Sequence, residues 1–201
     1  MIYHIWGENL NSTKESYESI APWDISEPQP AIMWLEEKGE IGDTVLDIGC
    51  GTGQNALFLS EKGYNVTAID LNPKMIEIGE ERARKRNLKI DFQVYDLFEL
   101  INYSKKFDTV IDSSVFHMFS DSKRKSLETN IRSILKDEGR YHMLVFSDKE
   151  PEGYGPRRIK KKDIRDTFYD GWEVYRIKEA KIGINIMKGW SWGWLASILK
   201  I

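Results

Sequence analysis

The run "TVLDIGCGTGQNALFLSEKG", Thr44 to Gly63, decides how this 201-residue chain folds. Its first part is short, apolar and β-branched, like a buried strand. Its last part has helical periodicity, and Gly63 is placed to cap that helix. Between them, "DIGCGTG" (47–53) sets Gly49, Gly51 and Gly53 at every second position. Glycine there admits positive φ and lets the backbone approach a ligand with no Cβ in the way. A strand, a glycine turn and a helix in this order aim main-chain N–H groups and a helix N-terminus at an anionic group. The dinucleotide fingerprint G-x-G-x-x-G is not met, because Gln54 stands where its third glycine would be. The pattern is G-x-G-x-G, with Asp47 two residues ahead of the first glycine.

Outward from this unit, strands and helices alternate. "NVTAID" (65–70) reads as a second strand, followed by a helix over 72–87 with Asn72 as N-cap and Pro73 in the first turn. "IDFQVYD" (90–96) and "FDTVIDSS" (107–114) read as further strands. The segment 120–139 holds a helix with Leu127, Ile131, Ile134 and Leu135 on its apolar face, stopped by Gly139. "GRYHMLVFSD" (139–148) is another strand, 161–171 a short helix, and 172–182 and 192–200 two closing strands. Trp190, Trp192 and Trp194 alternate and are expected to share one core-facing side. Such alternation implies a doubly wound α/β fold, a mostly parallel sheet with helices on both faces. The last two strands leave no room for a crossover helix, so they are expected to pair as an antiparallel hairpin. In open sheets of this kind ligands sit at the carboxyl ends of the strands. Those ends carry Asp47–Gly53, Asp70, Asp96, Asp112 and Ser147–Asp148.

Composition narrows the function. Hydrophobic residues make up 41% and charged residues 30%, fitting one globular domain over 1–201 with a real core. No apolar run is long enough to span a bilayer and the N-terminus lacks a signal-peptide pattern, so a cytoplasmic protein is expected. Cys50 is the only cysteine, which excludes an intramolecular disulfide and a Cys-based metal cluster, and no metal is expected. The net charge of −3 argues against a nucleic-acid partner. Residues 1–150 carry 18 Lys and Arg against 26 Asp and Glu, whereas 151–201 carry 11 against 6. That basic excess centres on "RRIKKK" (157–162), read as a solvated helix approach in preference to an anion-binding surface.

Asp70 lies 21 residues past Gly49, where an acid can accept both hydroxyls of a ribose and would repel a 2′-phosphate. Leu71, beside it, is counted with the same contact set. Asp96 can accept from an exocyclic amine while Leu97 flanks a flat base. Together these residues describe a site for a nucleoside with free ribose hydroxyls.

"VLDIGCGTG", "VTAID", "VYDL" and "FDTVIDSSVFHMF", in order over residues 44–148, resemble the motifs of class I S-adenosylmethionine-dependent methyltransferases. The resemblance implies a seven-stranded sheet with a reversed final strand and S-adenosylmethionine as cofactor. It places Asp47 and the Gly49–Gly53 turn, with the backbone of Cys50, at the methionine end. It places Asp70 at the ribose, Asp96 and Leu97 at the adenine, and Asp112 beneath the sulfonium. "YESIAPWDISEPQP" (17–30) resembles the N-terminal segment of the thiol, halide and thiopurine methyltransferase branch. Residues 1–30 are then expected to form a lid arm whose prolines limit its wandering. Tyr17 and Trp23 would be aromatic walls against the sulfonium, open to cation–π attraction.

Residues 149–162 follow the last central strand and are expected to form a substrate loop. Arg157 and Arg158 either clamp an anionic or polarisable acceptor or pair with Asp148 or Glu152. His117 either relays a proton from an acceptor thiol or is a packed, hydrogen-bonded histidine. The expected activity is methyl transfer to a small molecule, with a thiol or other soft nucleophile as acceptor. An NAD-dependent oxidoreductase would need the glycine that Gln54 replaces. Base-modifying nucleic-acid methyltransferases carry N/D-P-P-Y/F where this chain has "IDSS". A non-catalytic cofactor-binding regulator is the remaining alternative.

Overall fold

A computed structural model describes residues 23–151, 153, 155–185 and 189–201. Tyr17 and the greater part of the expected lid arm lie outside the described residues. The strands are β1 (Thr44–Ile48), β2 (Asn65–Asp70), β3 (Asp91–Val94), β4 (Phe107–Ser113), β5 (Leu135–Phe146), β6 (Trp172–Ile184) and β7 (Gly189–Lys200). The helices are α1 (Pro30–Glu37), α2 (Gln54–Glu61), α3 (Pro73–Lys85), α4 (Asp121–Ile134) and α5 (Lys161–Thr167). Short 3-10 turns follow β3 at Leu97–Asn102 and β4 at Phe116–Met118.

The strands form one sheet in the order β3-β2-β1-β4-β5-β7-β6. The first five run parallel, and β7 is antiparallel to both β5 and β6. Consecutive residues of β1 serve opposite cores, which is why its sequence is a continuous apolar run rather than an alternating one. Val45 packs with Ala31, Ile32 and Leu35 of α1 and Ala56 and Leu59 of α2. Leu46 packs on the other face with Leu127, Ile131 and Ile134 of α4. The strand order turns between β1 and β4, so the glycine turn after β1 opens at the switch point where such sheets bind ligands. Asn72 caps α3 as expected, its side chain accepting from the Lys74 N–H at 3.0 Å.

Two expectations are corrected. Gly139 does not stop a helix: α4 ends at Ile134 and the chain enters β5 directly at Leu135. Leu135 is drawn into the core cluster, and the register then shifts between Phe107↔Leu135 and Thr109↔Arg140, so 136–139 form an irregular bulge in β5. The three tryptophans do not share the core either. Trp194 is 3% exposed, whereas Trp190 is 44% exposed and meets the half-buried Trp192 edge-on at 4.8 Å. The cause is length. β5 ends at Phe146 opposite Gly193, while β6 and β7 go on pairing from Lys181↔Trp192 to Ile184↔Gly189, beyond the last residue of β5. Among the described residues, no helix is long and apolar enough to cross a membrane.

Candidate active site

The turn after β1 is built on left-handed backbone, with φ of 59° at Gly49, 54° at Gly51 and 81° at Gly53. It is pinned to β2 by two bonds. The Cys50 N–H donates to the Ile69 carbonyl at 2.9 Å, and the Gly51 N–H donates to Asp70 Oδ2 at 2.9 Å. A Cβ on Gly51 would lie 2.7 Å from the Trp23 ring, so the position tolerates no side chain on either conformational or steric grounds. The Cys50 thiol is pushed well up by burial and by the nearby Asp47 and Asp70 charges, so it stays neutral and inert.

Asp47 is 1% exposed, and neither of its carboxylate oxygens accepts a hydrogen bond. Burial, followed by the charges of Asp112 and Asp70, raises its pKa to about 8; the Ala56 N–H in the first turn of α2 faces the carboxylate outside hydrogen-bond geometry and opposes the rise. A buried acceptor left without a donor calls for a partner. Asp70 is also raised, by burial, against the backbone donors Asn72, Gly51 and Leu71. Its Oδ1 accepts from the Asn72 N–H at 2.8 Å, and the backbone donors leave part of the carboxylate's roughly four lone-pair sites open. Leu71 stands beside it, 52% exposed. Asp96 is half-buried and spends Oδ1 on the Phe98 N–H at 2.9 Å, capping the turn after β3. Leu97 is buried in the core with Leu100 and Phe107, so its side chain supports the rim from below.

Asp112 lies near the end of β4. It is fully buried, and Oδ1 accepts from the Val115 N–H at 2.8 Å while Oδ2 accepts from the Phe116 N–H at 3.1 Å and the Tyr141 hydroxyl at 2.6 Å. Burial raises its pKa to about 6 in spite of these donors. The carboxylate therefore fixes the loop after β4. His117, in that loop, is 2% exposed, and its Nδ1 accepts from the Phe146 N–H at 3.1 Å. Accepting at Nδ1 puts the imidazole proton on Nε2. Burial, then the Arg124 and Arg158 cations, lower its pKa to about 3. The ring thus has the burial and the hydrogen bond of the packed alternative.

The arginines brace the loop they belong to. Arg157 pairs with Asp121 at 3.0 Å, and Arg158 donates from Nε to the Pro151 carbonyl at 3.2 Å. Of the two acids considered as their partners, Asp148 accepts from Trp194 Nε1 at 3.1 Å, and Glu152 lies outside the described residues. Arg158 lies 5.6 Å over the Phe146 ring, next to His117.

The arm closes the picture. Trp23, 45% exposed, has its ring against Gly51. Asp24 is 2% exposed, and its Oδ2 accepts from the Thr52 hydroxyl at 2.8 Å and from Arg82 Nη2 at 3.1 Å. Five residues on, Gln29 Nε2 donates to the Gly183 carbonyl at 3.1 Å and Oε1 accepts from the Gly183 N–H at 2.8 Å. Asp24, Thr52, Arg82 and Gln29 were not singled out from sequence. The acid after Trp23 was the one signal for Asp24; Arg82 reads as an ordinary helix-surface cation until the fold places it.

A model of the methyltransferase domain matches residues 45–139. The 2-heptyl-1-hydroxyquinolin-4(1H)-one methyltransferase of Mycobacteroides abscessus is 32% identical over 177 residues, covering 85% of this chain and 78% of that protein. The probable thiol methyltransferase 2 of Arabidopsis thaliana is 24% identical over 194 residues, covering 94% of this chain and 86% of the other. A solved structure described as "Conversion of a Disulfide Bond into a Thioacetal Group during Echinomycin Biosynthesis" superposes with a TM-score of 0.82 at 29% identity, covering 93% of this chain and 89% of that one. With the strand order, the reversed β7 and the glycine turn beside Asp47 and Asp70, these similarities make the chain a member of the class I S-adenosylmethionine-dependent methyltransferases.

Proposed function

We propose that the enzyme methylates a small acceptor whose heteroatom ionises near neutral pH without help, a thiol or a comparably acidic N-hydroxyl. One observation carries this reading: the buried acid–base groups after β4 are already bonded. Asp112 has both oxygens engaged, and His117 has its lone pair on the Phe146 N–H. The acceptor must then bring its own nucleophilic lone pair. Thiols do so because part of the population is thiolate at pH 7; an aliphatic alcohol does not. The names of the relatives point the same way, one methylating a 1-hydroxyquinolinone and another a thiol.

The residues present fit the cofactor. When bound, S-adenosylmethionine supplies a methyl group on a positively charged sulfur. Asp47 offers two unpaired carboxylate oxygens at the methionine end, and Asp70 keeps lone pairs for the ribose hydroxyls. The carboxylates Asp47 and Asp70 make the pocket attractive to a cation. Trp23 covers the turn as a lid and excludes water from the reacting centre.

The test is methyl transfer from labelled cofactor to an aryl thiol, an N-hydroxy heteroarene, a matched phenol and a primary alcohol. The first two should turn over, and the alcohol should be slower by about a hundredfold or more, the rate a missing general base forfeits. Comparable rates on thiol and alcohol would overturn the proposal.

A further inference from the structure

We infer that Asp24 is a latch, a positioning residue that holds the lid shut over the cofactor turn; the inference rests on the proposal that Trp23 covers that turn. The bonds around Asp24 form a closed set. Thr52 Oγ1 donates to Asp24 Oδ2 at 2.8 Å and accepts from Arg82 Nη1 at 2.6 Å, while Arg82 Nη2 reaches the same Asp24 oxygen at 3.1 Å. The Asp24 side chain is fully enclosed and that of Arg82 is 16% exposed. Asp24 Oδ1 accepts from the Ser26 N–H at 3.0 Å, which turns the chain away from the latch.

Thr52 is the residue between Gly51, which meets the Trp23 ring, and Gly53, which opens α2. Arg82 comes from α3, the helix that follows Asp70. The latch thus joins the arm, the methionine-end turn and the helix behind the ribose acid at one point. The other end of the arm is fixed differently. Gln29 pairs with both backbone groups of Gly183 on β6, its own N–H donates to Asn55 Oδ1 at 2.9 Å, and the chain then enters α1. Because Ile32 and Leu35 bury α1 in the core, that end is the hinge. The arm lifts from the Asp24 end, so the latch governs how long the cofactor stays.

The experiment is stopped-flow measurement of S-adenosylhomocysteine binding and release by the full-length protein and its Asp24→Asn, Arg82→Gln, Arg82→Lys and Trp23→Ala variants. Asp24→Asn and Arg82→Gln should each speed release by about tenfold or more with association changed less than about threefold, since losing one member of a buried charge pair acts on dissociation. The double variant should be no worse than the worse single one, because both break one set of bonds. Arg82→Lys should recover part of the loss. A lowered melting temperature with release unchanged, or additive effects in the double variant, would overturn the latch. If Trp23→Ala neither speeds release nor weakens binding, the lid itself fails; if Trp23→Ala speeds release while Asp24→Asn does not, the latch alone fails.

Discussion

Asp47 shows at the scale of one residue how burial holds a proton in the site until a ligand arrives. Its pKa rises from 3.8 to about 8 on folding, so between those values the folded protein holds a proton that the unfolded chain has released. Stability therefore falls as pH rises through this window, and Asp112, raised to about 6, adds to the same trend over a narrower range. His117 and His142 act in the opposite sense. Burial lowers them to about 3 and about 4, so the stability they contribute is lost as pH falls below their ordinary value of 6.5. A cationic ligand group beside Asp47 favours its charged form, and binding should then expel the proton. Calorimetry of S-adenosylhomocysteine binding near pH 7 should show an enthalpy that tracks the buffer's ionisation enthalpy, with release of up to about one proton. Asp47→Asn should remove that dependence, and a buffer-independent enthalpy in the native protein would contradict the assignment. Asp47, Gly51 and Asp70 were legible in the sequence because strand ends and a glycine turn locate them by local pattern. The bonds of Asp112 and His117 were not, because their partners Tyr141 and Phe146 lie 29 residues away in each case and meet them only across the β4–β5 pair.

At the scale of the element, most strands and helices followed from apolar periodicity, caps and spacing. What escaped was where an element yields to its neighbour. Leu135 fits the α4 apolar face equally well, and the sheet takes it because Phe107 stands opposite. Trp190 and Trp192 have the alternation of core residues, but alternation does not report that the hairpin outruns the strand beside it. Gly79 gives a prediction of this kind. It lies inside α3, where glycine costs about 1 kcal/mol relative to alanine, so propensity alone says Gly79→Ala should stabilise. A Cβ there would sit 2.6 Å from Phe92 Cε1, and the same ring lies 2.8 Å from where a Cβ on Gly53 would be. Overpacking should win, with Gly79→Ala destabilising by about 1–3 kcal/mol in thermal unfolding. A rise in melting temperature would show that Phe92 has room to move and is not a fixed support under the glycine turn.

The whole molecule joins a sheet that presents the glycine turn and its acids to an arm that crosses its rim, held by α3 at one end and by the β6–β7 hairpin at the other. Family membership makes it a methyltransferase and sets aside the NAD-dependent and purely regulatory readings. The proposal is that the acceptor ionises without help, because the buried acid–base groups after β4 are bonded within the scaffold. His117→Asn isolates this, because the Asn Oδ1 can still accept from the Phe146 N–H while no imidazole remains. The most direct measurement is the pH profile of kcat/KM, at saturating cofactor, for two aryl thiols of different acidity in native and His117→Asn protein. The expected result is an inflection that moves with the acceptor's own pKa and is the same in both proteins. An inflection fixed at one pH for both thiols and abolished by His117→Asn would contradict it, and would make His117 the base.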